Sequence, residues 1–250
     1  MVESKKLKIC FTLPSILILL LFGSFGISSA QNDTLLKKEK THFLFKKEIF
    51  PASLLVIGSA LNYSNFRYFI REKAGNTTNI RLDNYIQYAP IAEIYIADLA
   101  GFRHKNTVWN QTKYLAISEL VTSGIVQSLK LLTKVKRPNG GSLSFPSGHA
   151  SNAFSSATVL FQEFKEDNMM LALSGYGFST ATGILRITNN RHWVSDVLAG
   201  AGIGILVTDL IYYWEPLKNW NPFNGSKKYS IEPGLSLTDS GILLGMRLHL

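Results

Sequence analysis

One cysteine is all that 250 residues contain, and it is Cys10, ahead of an apolar stretch near the N-terminus. A lipoprotein signal does not place its cysteine there. No internal disulfide can form. Once the N-terminal segment is removed no thiol is left, which excludes redox and thiolate chemistry. Acidic residues are also scarce, 17 against 26 lysines and arginines, for a net charge of +9. The basic residues are scattered and no nucleic-acid motif accompanies them, so nucleic acid is not an expected partner. The excess fits a surface near anionic lipid, or a field that draws in anionic substrates. Most apolar runs are interrupted, and the chain has no internal repeat, low-complexity tract or obvious linker. One domain follows, long enough to bury a sizeable core.

What is present begins with a targeting pattern. Lys5, Lys6 and Lys8 precede the apolar run Leu13 to Phe22, and Ser28-Ser29-Ala30 offers small residues for cleavage before Gln31. Residues 1–30 are therefore expected to be a signal peptide, or alternatively an N-terminal anchor. Residues 31–250 are expected to form the single domain. Within it, 31–50 read as a polar, basic, exposed lead-in, and 51–61 as an apolar run too short to span a bilayer. Residues 64–87 read as loop. Residues 88–101, 113–133, 148–164, 169–186 and 193–214 carry apolar, small-residue helical patterns.

Glycines such as Gly175, Gly183, Gly200 and Gly204 let helices approach closely, as in membrane helix pairs. The expected fold class is thus all-α, a helical bundle embedded in a membrane, with a soluble exported bundle as the alternative. Crossings by 88–101, 113–133, 148–164 and 169–186 would leave the motifs below on the exported side. The basic turn at Arg103, His104 and Lys105 then lies inside. In the tail, alternation from Ile231 to Leu237 and from Leu244 to Leu250, about a turn at residues 238–241, predicts a short β-hairpin.

Three clusters carry chemistry: Lys130-x6-Arg137-Pro138, Pro146-Ser147-Gly148-His149, and Arg186-x5-His192-x3-Asp196. His192 and Asp196 are four apart, one face of a helix. A carboxylate on Nδ1 fixes the tautomer and leaves Nε2 as a nucleophile. Asn189 and Asn190 are expected to cap that helix. Ser147 is expected to cap another, with Gly148 leaving an amide open to an anion. His149, in its first turn, is placed to donate a proton. Lys130, Lys134 and Arg137 are expected along one helical stripe ended by Pro138. Arg137 suits a bidentate grip on two phosphate oxygens and Lys130 a point charge. Each cluster alone has a bland counterpart: a surface His–Asp pair, an ordinary capped helix, a solvated basic face. Together, in order and at compact spacing, they suit a tetrahedral oxyanion.

These residues resemble the signature of the type 2 phosphatidic acid phosphatase (PAP2) superfamily, which includes bacterial non-specific acid phosphatases and vanadium haloperoxidases. The resemblance covers residues 113–214. Leu185 departs from it, standing where the family has Ser. It implies a helical bundle with the site at one end and a metal-independent reaction needing no cofactor. It implies His192 as nucleophile through a phosphohistidine, Asp196 as its partner and His149 as general acid. Lys130, Arg137, Arg186, Ser147 and Gly148 would hold the phosphate. For an exported chain it points to a lipid phosphate in the bacterial envelope: phosphatidic acid or phosphatidylglycerol phosphate, undecaprenyl pyrophosphate, or a lipid A phosphate. The site would lie at the inner membrane facing the periplasm. The alternatives are a soluble periplasmic acid phosphatase, a vanadium haloperoxidase and a lipid-binding protein without turnover.

Overall fold

The computed structural model describes residues 34–74, 81–220, 230–238 and 241–249. The expected signal segment, residues 1–30, lies outside them. The chain divides at Phe45 into two units, and everything below concerns the second, Lys46–Leu250, apart from the helix that runs through the division. The described residues form nine helices and one hairpin. They are α1 (Thr34–Leu61), α2 (Phe66–Ala74), α3 (Asp83–Ile86), α4 (Ala89–Leu99), α5 (Val108–Thr133), α6 (Gly148–Phe164), α7 (Met169–Thr188), α8 (Val194–Tyr213) and α9 (Glu215–Asn219). β1 (Ser230–Thr238) and β2 (Gly241–His249) pair antiparallel, Ser230 opposite His249 and Thr238 opposite Gly241.

Helix ends follow local chemistry. Thr107 caps α5 by accepting from the Asn110 amide, and Asn168 caps α7 by accepting from Leu171 at 3.0 Å. The centre of the bundle is α8, buried through Ala199–Thr208. Close approach demands glycine on it. A Cβ at Gly200 would stand 2.6 Å from the Ser147 carbonyl oxygen on α6's cap. One at Gly202 would stand 2.6 Å from the Pro51 carbonyl oxygen of α1. Both contacts are with backbone, which cannot swing aside. The missing side chains therefore set how near α6 and α1 lie to α8.

Several expectations need correction. Residues 34–50 of the polar, basic lead-in are helical, a feature its reading did not specify: the run Leu35-Leu36-Lys-Lys-Glu-Lys consists of good helix formers. Residues 64–87 contain α2 and α3 rather than loop alone; the apolar spacing of Phe66, Phe69 and Ile70 is helical. Two described helices, α5 and α8, are long and apolar enough to cross a membrane by length and composition. Only one of the four segments expected to cross, 113–133, lies in either. Helix α4, with 11 residues, is about 16 Å long, half a hydrocarbon core.

Candidate active site

The site sits where the α5–α6 loop, the start of α6 and the α7–α8 connection meet. Helix α5 ends at Thr133 because Lys134 takes a left-handed conformation (φ 49°). Lys130, Lys134 and Arg137 therefore share no helical stripe. Lys130 is in the last turn, Lys134 is the cap, and Arg137 lies in the loop, four residues past the helix end. Pro138 does not end the helix. The loop is instead shaped by a turn in which the Arg137 amide donates to the Gly141 carbonyl at 2.7 Å and Gly140 (φ 86°) donates back to Arg137 at 3.0 Å.

That loop returns to Lys130. Its buried ammonium donates to the carbonyls of Leu143 at 2.9 Å and Ser144 at 3.2 Å. An ammonium has three protons, so one remains. Arg137 donates Nε to the Ser142 carbonyl at 3.1 Å, leaving both Nη groups. Its charge bears on Lys130, His149 and Arg186.

Ser147 caps α6 as its sequence predicts, its hydroxyl oxygen accepting from the Ala150 amide at 3.4 Å. Its own amide is committed to the Asp196 carbonyl at 2.9 Å. The amides left for an anion are thus those of Gly148 and His149, and the Ser147 hydroxyl proton is still free to give. A Cβ at Gly148 would meet only Val126, at 3.9 Å, so the space beside that amide is open.

The His192–Asp196 pair forms, but not across a helical turn. Helix α8 begins at Val194, so His192 precedes it. Asp196 folds back over the helix start, one oxygen accepting from the Trp193 amide at 2.9 Å and lying 3.3 Å from Nδ1 of His192. The same oxygen accepts from the Ser144 hydroxyl at 2.5 Å. Asn189 and Asn190 are not the cap. Asn189 closes α7, and Asn190 turns the chain in a left-handed conformation (φ 54°), one that Asn tolerates. The helix still starts beside the imidazole, because a carboxylate at its third position accepts from the Trp193 amide at the cap.

The His192 ring is 2% exposed. Burial pushes its pKa down to about 4; Asp196 pulls the other way, and Arg186 and Lys130 add to the fall. The ring is therefore neutral near pH 7. Among the described residues Nε2 has no hydrogen-bond partner, so its lone pair is available. The Trp193 indole donates to the Lys136 carbonyl at 2.8 Å, tying the His192 segment to the loop that carries Arg137. On its other side lies the Arg67 guanidinium of α2, 4.9 Å from the indole ring centre.

Arg186 is buried, and its Nη1 pairs with Asp83 of α3 at 2.6 Å. Its buried Nε has no protein partner. The carbonyl of Arg186 accepts from the His192 amide at 3.1 Å, so cation and imidazole are joined through backbone. Leu185, the departure from the resembled pattern, is half-buried in α7.

Sequence reasoning missed three residues here, Asp83, Asn84 and Ser144. Asp83 holds Arg186 with one carboxylate oxygen and accepts from the Asn189 amide group at 3.2 Å with the other. Asn84 places Oδ1 3.1 Å from Nε2 of His149. Both lie in a segment that read as loop, with no motif to mark them. The one available signal was a lone Asp in an otherwise basic, aromatic stretch. Ser144, on the Asp196 carboxylate, was likewise passed over.

The site thus gathers Lys130, Arg137, Arg186, His149, His192, Asp196, Ser147 and Gly148 about donors that the protein itself leaves unused. Such donors are of the kind that suit the oxygens of a tetrahedral anion, beside an imidazole held neutral.

Comparison with known proteins follows the same residues. Residues 130–220 match the PAP2 superfamily. Over 164 residues the chain is 32% identical to a protein of Porphyromonas gingivalis named lipid A 1-phosphatase, covering 65% of this chain. The chain spans about a third (36%) of that relative's length. Among solved structures it is similar to LpxE of Aquifex aeolicus, with 21% identity, TM-score 0.48, and coverage of 62% of this chain and 99% of that one. It is also similar to a transmembrane PAP2-type phosphatidylglycerolphosphate phosphatase of Bacillus subtilis. There the identity is 19%, the TM-score 0.46, and the coverage 70% of this chain and 99% of the other.

Proposed function

We propose, from the match of residues 130–220 to the PAP2 superfamily, that this chain is a phosphatase that removes phosphate from a membrane lipid. The observation that carries the proposal is the set of unused donors around a neutral imidazole: the last proton of Lys130, the Nη groups of Arg137, the orphaned Nε of Arg186 and the first amides of α6.

With phosphate held there, Nε2 of His192 attacks phosphorus as the ester P–O bond breaks. The electron pair departs on the leaving oxygen, which takes a proton from His149, whose imidazolium form the negative charge of the bound phosphate favours against burial. Asp196 holds Nδ1–H and stabilises the cationic ring. His149, now neutral, removes a proton from water as its oxygen attacks phosphorus. The P–N bond breaks, releasing orthophosphate and restoring His192.

Helix α5 has only a third of its apolar window buried, with Leu120 and Leu131 exposed, and exposed apolar side chains recur on other helices: Val56, Ile96, Met170 and Ile184. Exposed apolar surface on four helices favours a lipid-facing bundle over a freely soluble one. The proposed location is the inner membrane of a bacterial envelope, with the site facing the periplasm. The name of the Porphyromonas relative makes the 1-phosphate of lipid A the first substrate to try. Phosphatidylglycerol phosphate, phosphatidic acid and undecaprenyl pyrophosphate come next.

The test is phosphate release from this panel by purified protein in detergent and EDTA, beside His192→Ala. The wild type is expected to turn over without added metal. The variant should lose at least about 10³-fold in rate, as enzymes do on loss of a nucleophile. A variant releasing phosphate at the wild-type rate would overturn the assignment.

A further inference from the structure

Asn84 stands on α3, 65 residues from His149 in sequence, yet its Oδ1 lies 3.1 Å from Nε2 of that ring. The turn that carries it is anchored. Asp83, 3% exposed, is gripped on one oxygen by Arg186 and on the other by Asn189, both at the C-terminal end of α7. Asn84 itself is exposed, at the rim of the site. The anchor is therefore buried and the contact it delivers is exposed.

We propose that Asn84 is a positioning residue for His149, holding a proton on Nε2 until the leaving-group oxygen takes over as its acceptor. This deepens the phosphatase reading and rests on it. An amide carbonyl accepts but cannot donate, so Nε2 opposite Oδ1 carries the proton. The bond fixes that tautomer and stabilises the imidazolium, the form with a proton to spare. Burial pushes the His149 pKa down to about 4; Arg186 of α7, His192 of the α7–α8 connection and Arg137 of the α5–α6 loop add to the fall, and Asp83 of α3 opposes it. Among these cations, the one carboxylate, Asp83, is engaged by Arg186 and Asn189. Asn84 supplies a neutral acceptor on the nitrogen itself. In the step, substrate oxygen displaces the Asn84 carbonyl. The proton passes from Nε2 to that oxygen as the P–O bond breaks, and the ring is left neutral.

The test follows the His149 imidazole by carbon-13 NMR titration in detergent micelles, in the wild type, Asn84→Ala and Asn84→Asp. Asn84 is exposed, so both variants should melt near the wild-type temperature. Asn84→Asp puts a carboxylate on Nε2 and should raise the His149 midpoint by about one to three pH units. Asn84→Ala should lower it. In the lipid phosphatase assay Asn84→Ala should lower kcat about fivefold, one hydrogen bond's worth, at unchanged KM. The basic limb of Asn84→Asp should move up with its NMR midpoint. A His149 midpoint the same in all three proteins overturns the inference. The titration needs no turnover. Shifted midpoints in a protein that releases no phosphate would sink the phosphatase reading while keeping the Asn84–His149 coupling.

Discussion

His192 shows how burial and chemistry trade against each other in one side chain. Desolvation and two cations hold its pKa near 4 against an ordinary 6.5, despite Asp196. A nucleophile needs its lone pair, and this ring keeps it down to acid pH. The acid limb of kcat/KM that belongs to His192 is expected near pH 4 rather than 6.5, read from a pH–rate profile in detergent. The same shift has a cost in stability. Between about pH 6.5 and 4 the unfolded chain protonates this histidine and the folded chain does not. Folding stability therefore falls as pH drops through that window and is constant with respect to His192 below it. The loss is ~3 kcal/mol at most. His192→Asn should reduce the fall in melting temperature between pH 7 and 4. An equal fall in both proteins would show that the ring is not held neutral. Asp196 was legible as its candidate partner, although the shared helical face that the spacing assumed does not form; Ser144 and the Trp193 amide on the same oxygen were not legible, because their meeting depends on where two loops end.

At the scale of elements, the crossing of α6 and α8 decides where the phosphate-binding amides lie. Gly200 touches the Ser147 carbonyl and Gly204 the Ser151 carbonyl, so α8 runs directly beneath the start of α6. The Ser147 amide donates to the Asp196 carbonyl, coupling the two helix starts. Gly200→Ala forces backbone apart at that point. It should cost about 1–3 kcal/mol by overpacking. It should also lower kcat by displacing the amides of Gly148 and His149 from His192. Thermal melting and phosphate release measure the two effects; an alanine variant with wild-type stability and rate would refute this account of the crossing. The sequence made α6 plain from end to end, since a Ser cap and an Ala/Ser-rich run leave little choice of boundary. The segment 113–133 ended where α5 does, but the basic stripe drawn through Lys134 and Arg137 to Pro138 ran past that end, because a lysine in the left-handed region bears no mark in composition.

For the molecule as a whole, apolar side chains on the outside of α1, α4, α5 and α7 coexist with a net charge of +9. A basic protein bound only by charge leaves anionic membranes in high salt, because exposed pairs are screened beyond about 8–10 Å. One seated in hydrocarbon does not. This chain, expressed in full, should stay with the membrane fraction through salt and carbonate washes and release in detergent. Recovery in the wash would favour a soluble envelope phosphatase. The helical class and the close-packed small-residue crossings were readable in advance. The number of long apolar spans was not, since α4 and α8 differ in length and burial rather than in residue type.

Sequence alone determined the chemical inventory: which cations, which two rings, which carboxylate, and the capped turn before His149. Those are properties of residue type and short spacing, and local chemistry enforces them. Tertiary structure alone decided which donors remain unused, that Asp196 acts from over a helix start, and that Asp83 and Asn84 reach across from α3. Such relations depend on how distant segments meet, and no local rule encodes the distance between them.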